Sequence, residues 1–147
     1  MDGLSLFKHE TPLQLRFADL DALNHVNNAN YLTYMELARI LYLEHVLEMK
    51  MDERYSVILA KATVEYRRPI HLGDEIKVYT RCSRIGTKSF DLEYELRKTE
   101  PNGSQTVVAV GHTVMVAYDY DTSLPIAVPD AWRQRLVVFD SPSSVDK

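Results

Sequence analysis

The side chains best suited to chemistry lie within residues 19–30, where carboxyl, imidazole and amide groups are concentrated. Asp19 and Asp21 stand two residues apart, His25 follows, and Asn28 comes just before an apolar stretch that is predicted to be a helix. The first turn of a helix presents unpaired backbone N–H groups and the positive end of the helix dipole, which stabilise an oxygen that gains negative charge. A carboxylate beside such a helix start could attack an acyl carbon or activate a water molecule.

The same segment fits two other interpretations. Asp and Asn are typical of loops before helices, where their side chains accept backbone hydrogen bonds, and we expect Asp19 to support the turn in this way. Asp19, Asp21 and His25 could instead bind a metal ion. Three ligands on one loop, with no second cluster in the sequence, make that metal site a weak hypothesis.

The helix predicted after this loop covers residues 31–47, which contain neither Gly nor Pro. Apolar residues recur there at three- and four-residue spacings and cover most of the helix circumference. We therefore expect the helix to be buried on more than one side, by a wrapping sheet or by a partner subunit. Asn27 or Asn28 is suited to cap its start, and Glu36 and Arg39 are expected to form an ion pair on its polar edge.

The rest of the chain alternates apolar and polar residues with period two, which is typical of half-buried strands. Strands are predicted at residues 11–17, 56–66, 76–82, 90–97 and 106–118. Pro69 and Gly73 mark one reversal and Asn102-Gly103 marks a hairpin, so consecutive strands are expected to be antiparallel neighbours. Residues 130–138 are expected to add a helical turn or two. The result is an α+β domain in which a twisted five-stranded sheet curls around one helix.

Composition excludes several classes of protein. The chain has 147 residues, 46% of them hydrophobic, and a formal net charge of −4. This favours one globular domain over residues 1–147, with a core at about 11–138 and a disordered tail at 140–147. The mild acidity argues against nucleic-acid binding, and no apolar run is long enough to cross a membrane. A single cysteine, Cys82, excludes a disulfide framework, and the lack of a signal-peptide pattern favours the cytoplasm.

A family resemblance begins at residues 16–39, whose sequence is RFADLDALNHVNNANYLTYMELAR. Its D-x-D, H-V-N-N and E-x-A-R motifs resemble the signature of the 4-hydroxybenzoyl-CoA thioesterase-like family of hotdog-fold acyl-CoA thioesterases. Downstream landmarks match in order: Tyr66 with Pro69, Gly73-Asp74, and the link from Gly86 to Ser89. The resemblance covers about residues 13–138 and implies the hotdog fold, a five-stranded antiparallel sheet wrapped around one long central helix. Asn24 stands where the family commonly has glycine, so we expect a positive φ there.

The resemblance also implies a thioester hydrolase with no cofactor and no metal. Asp21 matches the catalytic carboxylate of the family, which acts as nucleophile or as general base for water. Asn28 matches the position whose backbone N–H polarises the thioester carbonyl. His25 matches a histidine that takes part in catalysis in the related plant acyl-carrier-protein thioesterases. Glu36 is the alternative carboxylate, because other hotdog lineages place their catalytic acid on this helix.

Substrate contacts are expected at four positions, Tyr31, Arg84, Lys88 and Ser89. The active site of this fold normally lies at a subunit interface, so we expect a homodimer or homotetramer in which Arg84 and Lys88 reach the Asp21 site of a partner subunit. Gly86 and Pro125 stand where some relatives that act on aromatic acyl-CoA have arginine. Both acyl-CoA and acyl-carrier protein therefore remain open as substrates.

Two further functions belong to other classes. A hotdog domain could bind an acyl group or a partner without turnover. The intact set of Asp21, His25 and Asn28 argues against it, because a pure binder has no need of a carboxylate that is costly to desolvate. A hotdog hydratase or dehydratase would use a different arrangement of His and carboxylate, which this sequence does not show.

Overall fold

The computed structural model describes residues 6–50 and 52–144, and its main feature is a sheet packed against a long helix. The elements in chain order are β1 (His9–Pro12), a 3-10 turn (Phe17–Asp19), α1 (Asn30–Leu47), β2 (Tyr55–Tyr66), β3 (Glu75–Ile85), β4 (Ser89–Thr99), β5 (Gln105–Asp119), β6 (Leu124–Pro125), α2 (Asp130–Asp140) and β7 (Ser143–Ser144). The five longer strands are ordered β1-β3-β4-β5-β2 and are antiparallel throughout. β6 lies beside β5, and β7 runs parallel to β3.

The long helix α1 agrees with the prediction for residues 31–47 and starts one residue earlier. Its buried side chains join one apolar core with those of β3, β4 and β5. Gly111 on β5 allows the close approach of the two elements, since a Cβ there would lie 2.6 Å from the Met35 side chain. Buried side chains of α1 from Tyr31 to Leu47 therefore pack in the same core as those of the sheet.

The predicted count of one helix and five strands was wrong, because the described chain has two helices and a seven-stranded sheet. The segment expected to form a turn or two is the complete helix α2. β6 and β7 have two residues each, too few to show any periodicity in the sequence. The first strand was predicted at residues 11–17 but ends at Pro12. Its pairing partner β3 begins at Glu75, and the last hydrogen bond between the two segments runs from Leu13 N to Ile76 O (3.0 Å). The residues after Leu13 therefore have no part of β3 to pair with.

The segment between β2 and β3 is not the predicted reversal between neighbouring strands. β2 pairs with β5, whereas β3 lies between β1 and β4, so residues 67–74 cross the end of the sheet. Ile70 is fully buried in this crossing, and its carbonyl accepts a hydrogen bond from Val26 N (2.8 Å). The crossing segment therefore packs against the loop that precedes α1.

The hairpin predicted at Asn102-Gly103 is confirmed, with Gly103 at φ +90° and a hydrogen bond from its N–H to Glu100 O (2.8 Å). β2 lies at one edge of the sheet, and within the described chain it pairs only with β5. Large apolar side chains are exposed on β2 and on the outer side of α1: Tyr55, Ile58, Leu59, Leu32, Leu37, Ile40 and Leu41. Neither helix of the described residues is long and apolar enough to span a membrane.

Candidate active site

Asp19 anchors the loop before α1. It is 1% exposed, and its carboxylate accepts hydrogen bonds from the backbone and guanidinium of Arg16 and from Tyr34 Oη (2.7 Å). Burial alone would raise the pKa of this carboxyl, but the hydrogen bonds from Arg16 and Tyr34 hold it below its ordinary value. The Asp19 carbonyl accepts further bonds from Asn27 N and Asn30 Nδ2, both at 2.9 Å. The predicted role of Asp19 in supporting the turn is confirmed.

Asp21 and His25 face each other across a tight turn. Hydrogen bonds of 3.0 Å join Asp21 N to His25 O and Asn24 N to Asp21 O. Asn24 has φ +70°, which confirms the positive φ expected there. Asp21 Oδ1 accepts a bond from Leu23 N (2.9 Å) and lies 3.9 Å from His25 Nδ1, and the Asp21 and His25 side chains are 28% and 30% exposed. Asp21 Oδ2 accepts no hydrogen bond from the described residues, so it can reach a substrate or a water molecule.

The backbone N–H of Asn28 is unpaired at the start of α1. Within residues 6–50 and 52–144 it has no acceptor, whereas the next N–H, that of Ala29, donates to Asn27 Oδ1 (2.9 Å). The cap residue is therefore Ala29, and not Asn27 or Asn28 as predicted, although the Asn27 side chain still pairs a helix-start N–H. The Asn28 N–H lies beside the positive end of an 18-residue helix, where an oxygen with negative charge is stabilised.

Backbone pairing places Asp21 and Asn28 on one hydrogen-bonded loop, with Asp21 on its turn side and Asn28 on its open side. Leu20 and Val26 form an isolated antiparallel bridge. The next pair outward is closed by the hydrogen bond between the Asp19 carbonyl and Asn27 N. The Asp21 carboxylate and the Asn28 N–H, which has no acceptor among the described residues, thus lie on one short loop that the hydrogen bonds of Asp19 hold.

Tyr31 lies beneath this loop. It is 2% exposed, and the ring of Tyr66 meets it edge-on at 4.8 Å. Burial, with a smaller effect of Tyr66, raises the pKa of the Tyr31 hydroxyl. Tyr66 Oη donates to the Asn28 carbonyl (3.0 Å) and so contacts the candidate site directly. In the sequence, Tyr66 stands out only as a family landmark, and that landmark is the signal that could have identified it as a site residue.

His71 is a second neighbour that the sequence did not indicate. Its ring packs edge-on against the ring of His25, with the centroids 6.3 Å apart. Its Nδ1 lies 3.8 Å from Asp74 Oδ2. No motif pointed to His71, and the crossing segment that positions it had been interpreted as a reversal.

Glu36 lies away from this loop. It is eight residues beyond Asn28, which corresponds to a rise of about 12 Å along the helix, and it lines a separate groove between α1 and β2. The predicted Glu36–Arg39 ion pair is wrong, since no such contact within 4.0 Å exists between these described residues. Arg39 is 8% exposed and donates to Tyr94 Oη (3.3 Å) instead.

Arg84, Lys88 and Ser89 lie near the opposite end of β3 from the crossing segment, roughly 30 Å away at about 3.3 Å per strand residue. Arg84 Nη1 lies 3.2 Å from Asp91 Oδ1, and Asp91 Oδ2 lies 2.9 Å from His112 Nε2. Lys88 is exposed and Ser89 is half-buried. A single chain therefore does not bring these three residues to Asp21.

The metal-binding hypothesis loses one of its ligands, because the Asp19 carboxylate is occupied by Arg16 and Tyr34. Among the residues that the structure describes, no three His, Cys, Asp or Glu side chains converge to hold a metal ion.

Cys82 is a buried free thiol whose pKa is raised to about 12 by burial, so it is a poor nucleophile.

Known proteins match both the sequence and the fold. Residues 15–136 match the family described as the thioesterase-like superfamily. Long-chain acyl-CoA thioesterase FadM from Escherichia coli (strain K12) is 29% identical over 129 residues, which cover 86% of this chain and 96% of FadM. Acyl-CoA thioester hydrolase YbgC from Escherichia coli O157:H7 is 26% identical over 121 residues, covering 80% of this chain and 87% of YbgC.

Among solved structures, a thioesterase from Thermus thermophilus, complexed with coenzyme A and Zn, superposes with a TM-score of 0.78. It is 34% identical to this chain, and the match covers 92% of this chain and 96% of the other. Because the family match spans most of the chain and the fold agrees, the protein belongs to the thioesterase-like superfamily, a family of thioester hydrolases with the hotdog fold.

Proposed function

We propose that this protein is an acyl-CoA thioesterase in which Asp21 and the backbone N–H of Asn28 carry out the hydrolysis. The observation that supports this most is the partly exposed Asp21 carboxylate, with one unpaired oxygen among the described residues, on the loop that leads to the Asn28 N–H. FadM and YbgC are both named as enzymes that act on acyl-CoA thioesters, which favours acyl-CoA over acyl-carrier protein as the substrate.

The proposed reaction uses each group at a stated atom. The thioester carbonyl oxygen accepts a hydrogen bond from Asn28 N–H, and the α1 dipole stabilises the negative charge that develops on it. Asp21 either attacks the acyl carbon, giving an anhydride that water then hydrolyses, or takes a proton from the attacking water. In both routes the C–S bond breaks, the thiol leaves with a proton, and the acyl group becomes a free acid. His25, whose Nδ1 lies 3.9 Å from Asp21 Oδ1, is the group proposed to orient Asp21 or to give the proton to the thiolate.

The test is a thiol-release assay over acyl-CoAs from acetyl to palmitoyl, with an aromatic one added. Asp21→Asn should lower kcat/KM by roughly 100- to 10,000-fold, the range for loss of a positioned acid–base group. Asp130→Asn, an exposed carboxylate in the first turn of α2, is the matched control and should keep the wild-type rate. Wild-type turnover by Asp21→Asn would refute the role of Asp21. Loss of turnover only in Glu36→Gln would transfer that role to the alternative carboxylate.

We further propose that the enzyme works as a homodimer or homotetramer. Arg84, Lys88 and Ser89 can serve an Asp21 site only from a second subunit. The edge of β2 that pairs with no other strand of the described chain offers its backbone groups to another copy. If so, mixing inactive Asp21→Asn subunits with weakened Lys88→Ala subunits should restore activity, because mixed dimers contain one intact site. Light scattering that shows only monomers would contradict the proposal.

The same assay separates the alternatives. Turnover of acyl-carrier-protein thioesters without turnover of any acyl-CoA would identify a carrier-protein thioesterase. Binding of acyl-CoA without turnover of either would identify a non-catalytic acyl-binding module.

A reducing compartment such as the cytoplasm suits a chain whose single cysteine, Cys82, is a buried free thiol.

A further inference from the structure

A groove between α1 and β2 is lined in part by a buried arginine side chain, that of Arg39. The cavity has a volume of about 290 Å³, just below the roughly 300–1,000 Å³ of small-molecule sites. Apolar side chains form much of its wall: Ile40, Leu43, Val57, Leu59 and Met115. Arg39 lines the same groove, and Glu36, Glu44 and Lys50 complete the charged part of its lining. The Asp21 loop does not contribute to this groove.

Arg39 has no carboxylate partner within residues 6–50 and 52–144. It is 8% exposed, yet no Asp or Glu oxygen of the described residues lies within 4.0 Å of it, and the hydrogen bond to Tyr94 is its one polar side-chain contact there. Arg97, the other deeply buried arginine at 4% exposure, lies 2.7 Å from Glu95. Buried charges in proteins are ordinarily paired, because an isolated charge is costly to remove from water. Arg39 therefore departs from the pattern that the same chain follows elsewhere.

The surroundings of Arg39 fix its head group. Tyr94 is fully buried, and its Oη shares a 2.8 Å hydrogen bond with Thr113 Oγ1, so the acceptor behind the guanidinium is held in place. A guanidinium carries five N–H donors in a planar fork that matches the two oxygens of a carboxylate. Tyr94 uses one donor, and the others have no acceptor among the described residues, so they can bind a ligand in the groove that Arg39 lines.

We infer that this groove is a binding site for a carboxylate carried on an apolar chain, with the carboxylate on Arg39 and the chain against the apolar wall. Two kinds of molecule could supply such a carboxylate, and both follow from the proposed function. One is the distal carboxylate of a dicarboxylic acyl thioester, and the other is the free acid that thioester hydrolysis releases.

The first experiment measures binding by calorimetry with decanoate and with decan-1-ol, which has a similar chain but no charge. Wild-type protein should bind decanoate about 10- to 100-fold more tightly than decan-1-ol, as expected for one charge-assisted pair. Arg39→Met should lose this preference. Lys61→Met, an exposed cation on β2 outside the groove lining, is the matched control and should keep it.

Folding of the Arg39 variant can be checked in the same samples. Replacing a buried, unpaired charge by an apolar side chain of similar length is not expected to destabilise the fold. Decanoate should raise the Tm of the wild-type protein and leave that of Arg39→Met unchanged, whereas decan-1-ol should affect both alike.

The second experiment distinguishes the two sources. If the site takes the distal carboxylate of a substrate, kcat/KM for the monothioester of decanedioic acid should exceed that for decanoyl-CoA in the wild type, and Arg39→Met should reverse this order. If the site takes the free acid, decanoate should inhibit wild-type hydrolysis more strongly than that of Arg39→Met, with no preference between the thioesters. Failure to hydrolyse any thioester would refute the proposed function. The calorimetry would still show whether the groove binds a carboxylate through Arg39.

Equal affinity of the wild type for decanoate and decan-1-ol would overturn the inference. A preference for decanoate that survives Arg39→Met would overturn it as well. A carboxylate of a second copy of this chain is the competing partner of Arg39. In that case Arg39→Met would weaken the oligomer in analytical ultracentrifugation and decanoate would show no preference over decan-1-ol, which also overturns the inference.

Discussion

The buried contact between Asp19 and Tyr34 should be a principal support of the loop that carries Asp21. Tyr34 Oη donates to Asp19 Oδ2 at 2.7 Å, and the two residues are 6% and 1% exposed. Replacing either partner leaves the other with an unmet hydrogen-bonding group in the interior, so both single variants, Tyr34→Phe and Asp19→Ala, should lose stability.

The expected magnitudes follow from these contacts. Tyr34→Phe removes one hydrogen bond to a charged group, which is worth about 1.5–3 kcal/mol of unfolding free energy. Asp19→Ala removes the same bond and those from Arg16. The Arg16 side chain is 70% exposed, so its ion pair adds no more than about 1 kcal/mol. We therefore expect a loss of about 2–4 kcal/mol for Asp19→Ala.

The assay is a double-mutant cycle measured by urea unfolding at neutral pH, with the same samples assayed for thioester hydrolysis. The double variant should be more stable than the sum of the single effects by at least about 1 kcal/mol, because it leaves no orphaned partner. Hydrolysis should fall in both single variants, since the Asp21 loop loses its anchor. A coupling energy near zero would refute this reasoning, and so would full activity in Asp19→Ala.

The pH dependence of the same contact has a definite sign. Hydrogen bonds hold the pKa of Asp19 below its ordinary value, although burial opposes them. As the pH falls below about 4, the unfolded state takes up this proton before the folded state does, so the stabilisation from Asp19 is lost on acidification. The wild-type protein should therefore lose stability more steeply than Asp19→Ala across this range.

Two further predictions concern Asn24 and Cys82. Asn24→Ala should lower the unfolding free energy by about 1 kcal/mol, because alanine tolerates a φ of +70° poorly, while Asn24→Gly should stay within about 0.5 kcal/mol of wild type. Identical urea midpoints for the two variants would contradict this. Burial raises the pKa of the Cys82 thiol to about 12, so a thiol reagent at about pH 8 should label it rapidly only after unfolding in urea. Rapid labelling of the native protein would contradict that expectation.

Local signals were enough to determine several parts of this protein. α1 follows from three- and four-residue apolar spacing without Gly or Pro, and the hairpin at Asn102-Gly103 follows from residues that tolerate a positive φ. The Asp19–Asn28 loop was recognised because its side-chain types are unusual in so short a segment. Such features are encoded by neighbours in sequence, so they can be read without knowledge of the rest of the chain.

Only the tertiary structure decided which distant residues meet. β2 pairs with β5 across a crossing segment, which brings His71 beside His25 and Tyr66 to the Asn28 carbonyl. Arg39 has a nearby glutamate in sequence, yet its side chain turns to Tyr94, which is far along the chain. These contacts depend on sheet order, and period-two alternation indicates which face a strand buries but not which strand lies beside it. The loop and the helix that follows it can therefore be predicted from local sequence, whereas the distant residues that contact them are determined by the packing of the whole sheet.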